Sequence, residues 1–270
     1  MDGLLNDTQF EQFRSIIYNE SGIHFSESNR AILESRLRER LKAADISEVA
    51  SYYSLIKSDE GELKVLLDSV TTNLTRFFRN QAHFQSFEYY VIPRIVEQKK
   101  EQGSKQIRIW SAGCSTGEEP YSIAILLSEI LPPGFTVEIT ASDLSLKSLM
   151  TAKEGYYPET RVNDVPAKYL TKYFEKVSGG YRVLDSVKKL ITFDYHNLKF
   201  DSGKQNLDII FCRNVIIYFD EAAQKAAIEK FWNSMAPDSY LFIGHSESLF
   251  GMKTRFEFVK TDWATLYRKA

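Results

Sequence analysis

The chain has 270 residues, with 34 Lys plus Arg against 36 Asp plus Glu and 43% hydrophobic residues, a balance that suits one large or two modest globular domains and excludes disorder or a collagen-like repeat. A formal charge of −2 gives no global attraction to nucleic acid or to an anionic membrane, and neither is expected as a partner. Cys114 and Cys212 stand 98 residues apart with no CxxC, no apolar run approaches the roughly 18 residues of a membrane span, and Met1-Asp2-Gly3 lacks a basic then apolar signal region, so a cytoplasmic protein without disulfides, structural zinc or membrane insertion is expected.

From Asp7 to about Ser69 the apolar residues fall at helical spacing: Phe10, Phe13, Ile16 and Ile17, then Leu33, Leu37 and Leu41, then Leu63, Leu66, Leu67 and Val70. Residues 1–75 carry a net charge of −5 and the remainder +3. This shift, together with the change in periodicity that follows, predicts a helical domain over 1–75 and a second domain over 76–270. Within the helical part, a helix from about Ser28 to Ala43 places Leu33, Leu37, Leu41 and Ala44 on one face, with Arg36 and Arg40 along one flank and Arg38 and Lys42 along the other.

A further helix is expected over Phe84 to Gln102 with a break at Pro93. The pattern then becomes strand, loop, helix: strand Ile107 to Trp110, small-residue loop Ser111 to Gly117, helix Glu118 to Leu131, and a second strand Val137 to Thr140 that ends at Ala141-Ser142-Asp143 before another helix. Strands Leu190 to Phe193, Leu207 to Cys212 and Tyr240 to Gly244 follow, with a helix from Asp220 to Met235 and a closing antiparallel pair at Phe256 to Phe258 and Thr265 to Tyr267. Such alternation predicts an α/β domain on a parallel sheet. After a helix over Ala167 to Phe174, the segment Glu175 to Leu184 reads as a small hairpin turning at Gly179-Gly180, an insertion over about 165–190.

In an open parallel sheet the ligand sits beyond the carboxyl ends of the strands, where this sequence is unusually polar. Ser111-Ala112-Gly113-Cys114-Ser115-Thr116-Gly117-Glu118-Glu119 follows the first strand, Asp143 ends the second, Asn197 follows the third, and Arg213, Asn214 and Tyr218 follow the fourth. Two carboxylates at a helix N-terminus act either as caps or as receivers of a cationic ligand group. Neither GxxxxGK nor GxGxxG is present, which speaks against a nucleotidase and a dinucleotide enzyme. Gly244-His245-Ser246-Glu247-Ser248 nearly matches a hydrolase elbow, but the final glycine is missing and no histidine follows His245. The remaining histidines, His24, His83 and His196, are isolated, so no metal site is expected. Between the two domains, Thr71 to Arg79 sets Arg76 and Arg79 around Phe77 and Phe78.

Thr72-Asn73-Leu74-Thr75-Arg76-Phe77-Phe78-Arg79, Ser115 to Ser122, Ala141-Ser142-Asp143, Phe211 to Phe219 and Gly244 to Glu247 together resemble the CheR family of bacterial chemotaxis receptor methyltransferases, in the family's order and from about Phe10 to the C-terminus. The resemblance implies an all-α N-terminal domain, then a Rossmann-like class I methyltransferase domain with a small antiparallel β insertion. It implies transfer of a methyl group from S-adenosylmethionine to glutamate side chains on the cytoplasmic methylation helices of chemoreceptors, leaving S-adenosylhomocysteine. By motif position, Asn73, Thr75, Arg79, Glu119, Asp143, Asn197, Leu198, Arg213 and Asn214 would line the cofactor pocket, and Arg79 and Tyr218 would flank the methyl group and the incoming carboxylate. Receptor helices are acidic in this family, so Arg36, Arg38 and Arg40 are the expected docking residues. A non-enzymatic adaptor of the same fold and a methyltransferase for another protein or a small carboxylate are the alternatives. The short Ser178-Gly179-Gly180 turn departs from members that bind a receptor C-terminal pentapeptide, so a monomer working without that tether is expected.

Overall fold

Helix α1 (Asp7–Ser21) starts where the Asn6 side chain accepts from the Gln9 backbone and Gln9 reciprocates, and it stops at Gly22, whose φ of 78° a side chain would resist. After it come α2 (Arg30–Ala43), α3 (Val49–Ser58) and α4 (Glu60–Val70), the last capped by Asp59. Their apolar faces bury Phe10, Phe13, Ile17, Leu33, Leu37, Tyr52, Ile56 and Leu66 in one core. A computed structural model describes residues 3–71 and 74–270.

Next, α5 (Gln81–Ser86) and α6 (Ile92–Glu101) are joined through a π turn over Phe87–Val91, so the expected break at Pro93 is a continuous helix instead. Proline lacks the donor and crowds the preceding turn, and the wider π turn absorbs both effects. The α/β region then runs β1 (Gln106–Ala112), α7 (Glu118–Ile130), β2 (Thr136–Asp143), α8 (Leu146–Glu154), β3 (Tyr156–Pro158), α9 (Ala167–Tyr173), β4 (Phe174–Val177), β5 (Gly180–Val183), α10 (Asp185–Lys188), β6 (Ile191–Tyr195), β7 (Leu207–Cys212), α11 (Glu221–Ser234), β8 (Met235–Ile243), β9 (Glu257–Lys260) and β10 (Thr265–Lys269).

Seven strands form one sheet in the order β6-β2-β1-β7-β8-β10-β9. The first five are mutually parallel, and β10 and β9 close the sheet antiparallel. The chain reverses direction across the sheet between β1 and β7, so the crevice lies beyond their carboxyl ends. A second sheet, β3-β5-β4, forms the expected insertion but recruits Tyr156–Pro158 from ahead of residue 165. Val177 pairs with Gly180, so Ser178-Gly179 make the turn and Gly180 lies in the strand. Its α-carbon sits where a Cβ would come 2.2 Å from the Tyr157 carbonyl oxygen, which excludes a side chain there.

The helical bundle is fastened to the sheet at its ligand-facing rim. Ile23 bridges Phe219, the His24 amide donates to the Tyr218 carbonyl at 2.8 Å, and the Asn197 side chain donates to the Glu20 carbonyl at 2.6 Å. Ser145 donates its hydroxyl to Asp68 across the same boundary.

Candidate active site

Between bundle and sheet lies a concave cleft, partly open to solvent, of the kind in which small molecules bind. Its walls include Thr75, Arg79, Glu119, Asp143, Asn197, Leu198, Arg213, Asn214 and Tyr218. Nine of the expected residues therefore share one cavity, although their positions span more than 140 residues of chain. Asn73 falls outside the described residues.

The loop after β1 is built for close approach. Gly113, Ser115 and Gly117 all adopt positive φ, and a Cβ at Gly113 would come 2.3 Å from the Val215 side chain, so only glycine lets the β1 and β7 loops meet. Asp143 ties this loop down: its two oxygens accept from the Ser115 and Ser145 amides, each at 2.8 Å. Burial pushes the Asp143 carboxyl up, and those amides pull it back.

Across the cleft, Glu119 accepts from the Ser111 hydroxyl at 2.8 Å and from Nη1 of Arg213 at 3.1 Å. Both side chains are almost fully enclosed. Burial pushes the Glu119 carboxyl up and the Arg213 guanidinium down, while their mutual attraction and hydrogen bond oppose both shifts. Arg213 also donates to the Arg79 carbonyl at 2.6 Å, so it positions the junction segment as well as the acid. Arg79 itself donates to the Leu74 carbonyl at 2.8 Å and keeps the rest of its guanidinium at the cleft wall.

Glu247 has a role that motif matching did not reveal. Its carboxylate accepts from the amides of Asn214 at 2.9 Å, Val215 at 3.0 Å, Ile217 at 3.2 Å and Gly244. This holds Asn214 at φ 59° and fixes the short 3₁₀ turn Ile216–Tyr218 that carries the Tyr218 ring. His196 was likewise not assigned to the site. It lines the cleft, stands 5.7 Å from the Trp110 ring, and is held below the usual histidine range, chiefly by burial.

The basic flank of α2 is only partly available. Arg36 and Arg38 form loose pairs with Glu39 at 3.6 Å and Glu34 at 3.5 Å, with side chains 37% and 55% exposed. Arg40 differs from expectation: it grips Glu62 of α4 at 2.8 Å, and the Tyr52 hydroxyl donates to that same carboxylate at 2.6 Å. Only 18% of its side chain is exposed, so Arg40 is an interior tie between helices rather than a free cation.

Three buried polar atoms of the cleft have no partner: Ser115 Oγ, His196 Nε2 and Arg213 Nε. Unsatisfied groups of this kind ask for a polar ligand. S-adenosylmethionine fits them, because it offers hydroxyl, ring-nitrogen and carboxylate partners to these atoms and an ammonium to Glu119 or Asp143. Among the described residues no group of three or more His, Cys, Asp or Glu side chains is placed to hold a metal ion.

Comparison with known proteins agrees with this geometry. The family model described as CheR methyltransferase, SAM binding domain, matches residues 73–265, and the one described as CheR methyltransferase, all-alpha domain, matches residues 8–71. The chain is 38% identical to the chemotaxis protein methyltransferase of Borreliella burgdorferi, covering 92% of each. It is 33% identical to chemotaxis protein methyltransferase 2 of Vibrio cholerae, over 98% of this chain and 94% of that one. With the Escherichia coli chemotaxis protein methyltransferase it shares 34% identity over 93% of this chain and 88% of its relative. The chain belongs to the CheR methyltransferase family, the S-adenosylmethionine-dependent methyltransferases of chemotaxis.

Proposed function

We propose that the protein methylates glutamate side-chain carboxylates on the cytoplasmic helices of chemoreceptors, giving methyl esters. The observation that carries this reading is the presence of Arg79 and Tyr218 in the same cleft as Glu119, Asp143, Arg213 and Asn214. When bound there, S-adenosylmethionine supplies an electrophilic methyl group. A glutamate carboxylate, with an ordinary pKa of about 4.3, is already ionised at neutral pH, so no residue has to remove a proton. The cleft needs only to align the reacting groups, an effect worth up to roughly 7–11 kcal/mol. Arg79 holds one carboxylate oxygen by a charge-assisted bond, and the Tyr218 hydroxyl orients the other. Glu119, Asp143, Asn197, Leu198, Arg213, Asn214 and Thr75 position the cofactor.

The all-α part, residues 1–75, serves substrate recognition in this reading. Its exposed cations Arg36 and Arg38 suit an acidic helix. The two-residue hairpin turn at Ser178-Gly179 leaves no loop to clamp a peptide, which supports action without a C-terminal tether. The proposed place of work is the cytoplasm, where the methylation helices of the receptors lie; no helix among the described residues is long and apolar enough to cross a membrane.

Incubation with labelled S-adenosylmethionine and a chemoreceptor cytoplasmic fragment tests the reaction. Label released by mild base marks a methyl ester. Base-stable label, or none on the fragment, would overturn the proposal.

A further inference from the structure

The family role absorbs Arg79 but leaves Arg76 without a task. Arg76 lines the cofactor cleft and also a neighbouring open cavity, whose lining includes Phe78, Phe84 and Tyr169. Phe84 is shared by both spaces as well, so the second cavity adjoins the first at Arg76 and Phe84. The Arg76 side chain is 62% exposed, and its ion-pair partner is Asp164, 51% exposed, at 3.7 Å. That separation is beyond a good hydrogen bond, and a loose pair of exposed charges exchanges readily for a better partner.

The two arginines are held at a fixed spacing. Three virtual bonds keep the Cα atoms of Arg76 and Arg79 within about 11 Å of each other. Phe77, fully buried, meets the rings of Tyr157 at 4.9 Å and Phe174 at 5.4 Å, while Phe78 stacks on Tyr169 at 5.6 Å and donates its amide to Ser122 at 2.9 Å. Phe78 adopts φ 50°, so the chain turns between the two arginines. On a helix, side chains three or four positions apart stand about 5–6 Å apart at Cβ. Long, flexible arginine side chains from two positions no more than about 11 Å apart can reach two carboxylates on one helical turn.

We propose that the cavity beside the cofactor cleft is a second-carboxylate subsite, in which Arg76 receives an acidic side chain three or four residues from the glutamate that is methylated. This rests on the glutamate reading above. Asp164 holds Arg76 in place until the substrate carboxylate displaces it. Glu88 and Lys168, also at this cavity, offset one another in charge, so the preference rests on Arg76.

The test compares receptor cytoplasmic fragments that carry either Glu or Gln at the positions three and four residues from the methylated glutamate. The readout is the ratio of kcat/KM for the two fragments. The wild-type protein is expected to favour the acidic flank by roughly three- to fivefold, the upper range of an exposed ion pair. Arg76→Ala should bring the ratio to about one, Arg76→Glu should invert it, and Asp164→Asn should raise it by removing the competitor. A flank preference that survives Arg76→Ala, or none in the wild-type protein, overturns the subsite alone. Absence of base-labile label on either fragment with the wild-type protein overturns the glutamate reading, and this proposal with it.

Discussion

Nη1 of Arg213 lies 3.1 Å from Oε2 of Glu119, joining the end of β7 to the first turn of α7 through side chains that are 3% and 13% exposed. Removing one member leaves an enclosed charge uncompensated, which typically costs about 3–5 kcal/mol. Glu119→Gln is therefore expected to lower unfolding free energy by about 3 kcal/mol in urea titration and to weaken S-adenosylmethionine binding in calorimetry. The double variant Glu119→Gln with Arg213→Met should recover part of the stability and none of the affinity.

Arg79 belongs to an exposed junction and donates to a loop carbonyl, so its loss should leave stability within about 0.5 kcal/mol. Turnover should fall much further. A charge-assisted contact worth about 1.5–3 kcal/mol predicts a loss of about 10- to 150-fold for Arg79→Ala. Tyr218→Phe should cost less, because its ring still lines the cleft. Single-turnover methylation alongside circular dichroism separates the two effects, and normal turnover in folded Arg79→Ala would remove it from the chemistry.

The Glu247 carboxylate gathers four backbone donors, and each buried donor left without a partner costs about 1–3 kcal/mol. Glu247→Ala should thus destabilise the protein by about 3 kcal/mol or more. Glu247→Gln retains one accepting oxygen and should fall between. Both variants should raise the cofactor dissociation constant, since Asn214 loses the anchor of its left-handed backbone; an unchanged constant would confine Glu247 to a purely structural role.

His83 is 3% exposed, its Nδ1 has no partner, and its pKa is pushed down to about 3, mainly by burial and then by the charges of Arg213 and His245. Unfolded, it titrates near 6.5, so between about pH 6.5 and 3 the unfolded chain binds a proton that the native chain refuses. Stability contributed by neutral His83 is therefore lost as the pH falls through this window. The loss from pH 7 to pH 5 should be about 2 kcal/mol. Glu119, Asp143 and Asp208, all raised, act in the opposite sense. The difference between wild type and His83→Leu, measured by denaturant unfolding at both pH values, isolates the histidine and should show that slope only in the wild type.

Docking through α2, as proposed above, would be an electrostatic matter between exposed groups, and exposed charges are screened over about 8 Å at physiological salt. Raising salt from about 0.05 to 0.5 M should slow receptor methylation, and Arg36→Ala with Arg38→Ala should remove most of that dependence. Titration with receptor C-terminal peptides should show no binding. Micromolar binding that accelerates methylation would restore a tether.

The parallel strands were legible because apolar runs such as residues 209–212, buried at every position, leave few other readings. The polar rim followed from strand direction alone. What stayed hidden depended on distant partners. Tyr156–Pro158 is three residues ending in a proline, and it is a strand only because residues 180–182 pair with it. Arg40 reads as a solvated cation on its own helix, and its partner Glu62 comes 22 residues later on another. Glu247 stood inside a motif that was visible, yet its task consists of backbone contacts, which no side-chain pattern announces.

The cleft takes Ser21, Ile23 and Val70 from the bundle and Gly113, Asp143 and Asn214 from the sheet, so a molecule filling it touches both. Occupancy then enters the folding equilibrium of the whole chain by mass action, contributing about 2.7 kcal/mol at a ligand concentration one hundredfold above its dissociation constant. The cofactor supply of the cell thereby raises the melting temperature of the bundle as well as of the sheet.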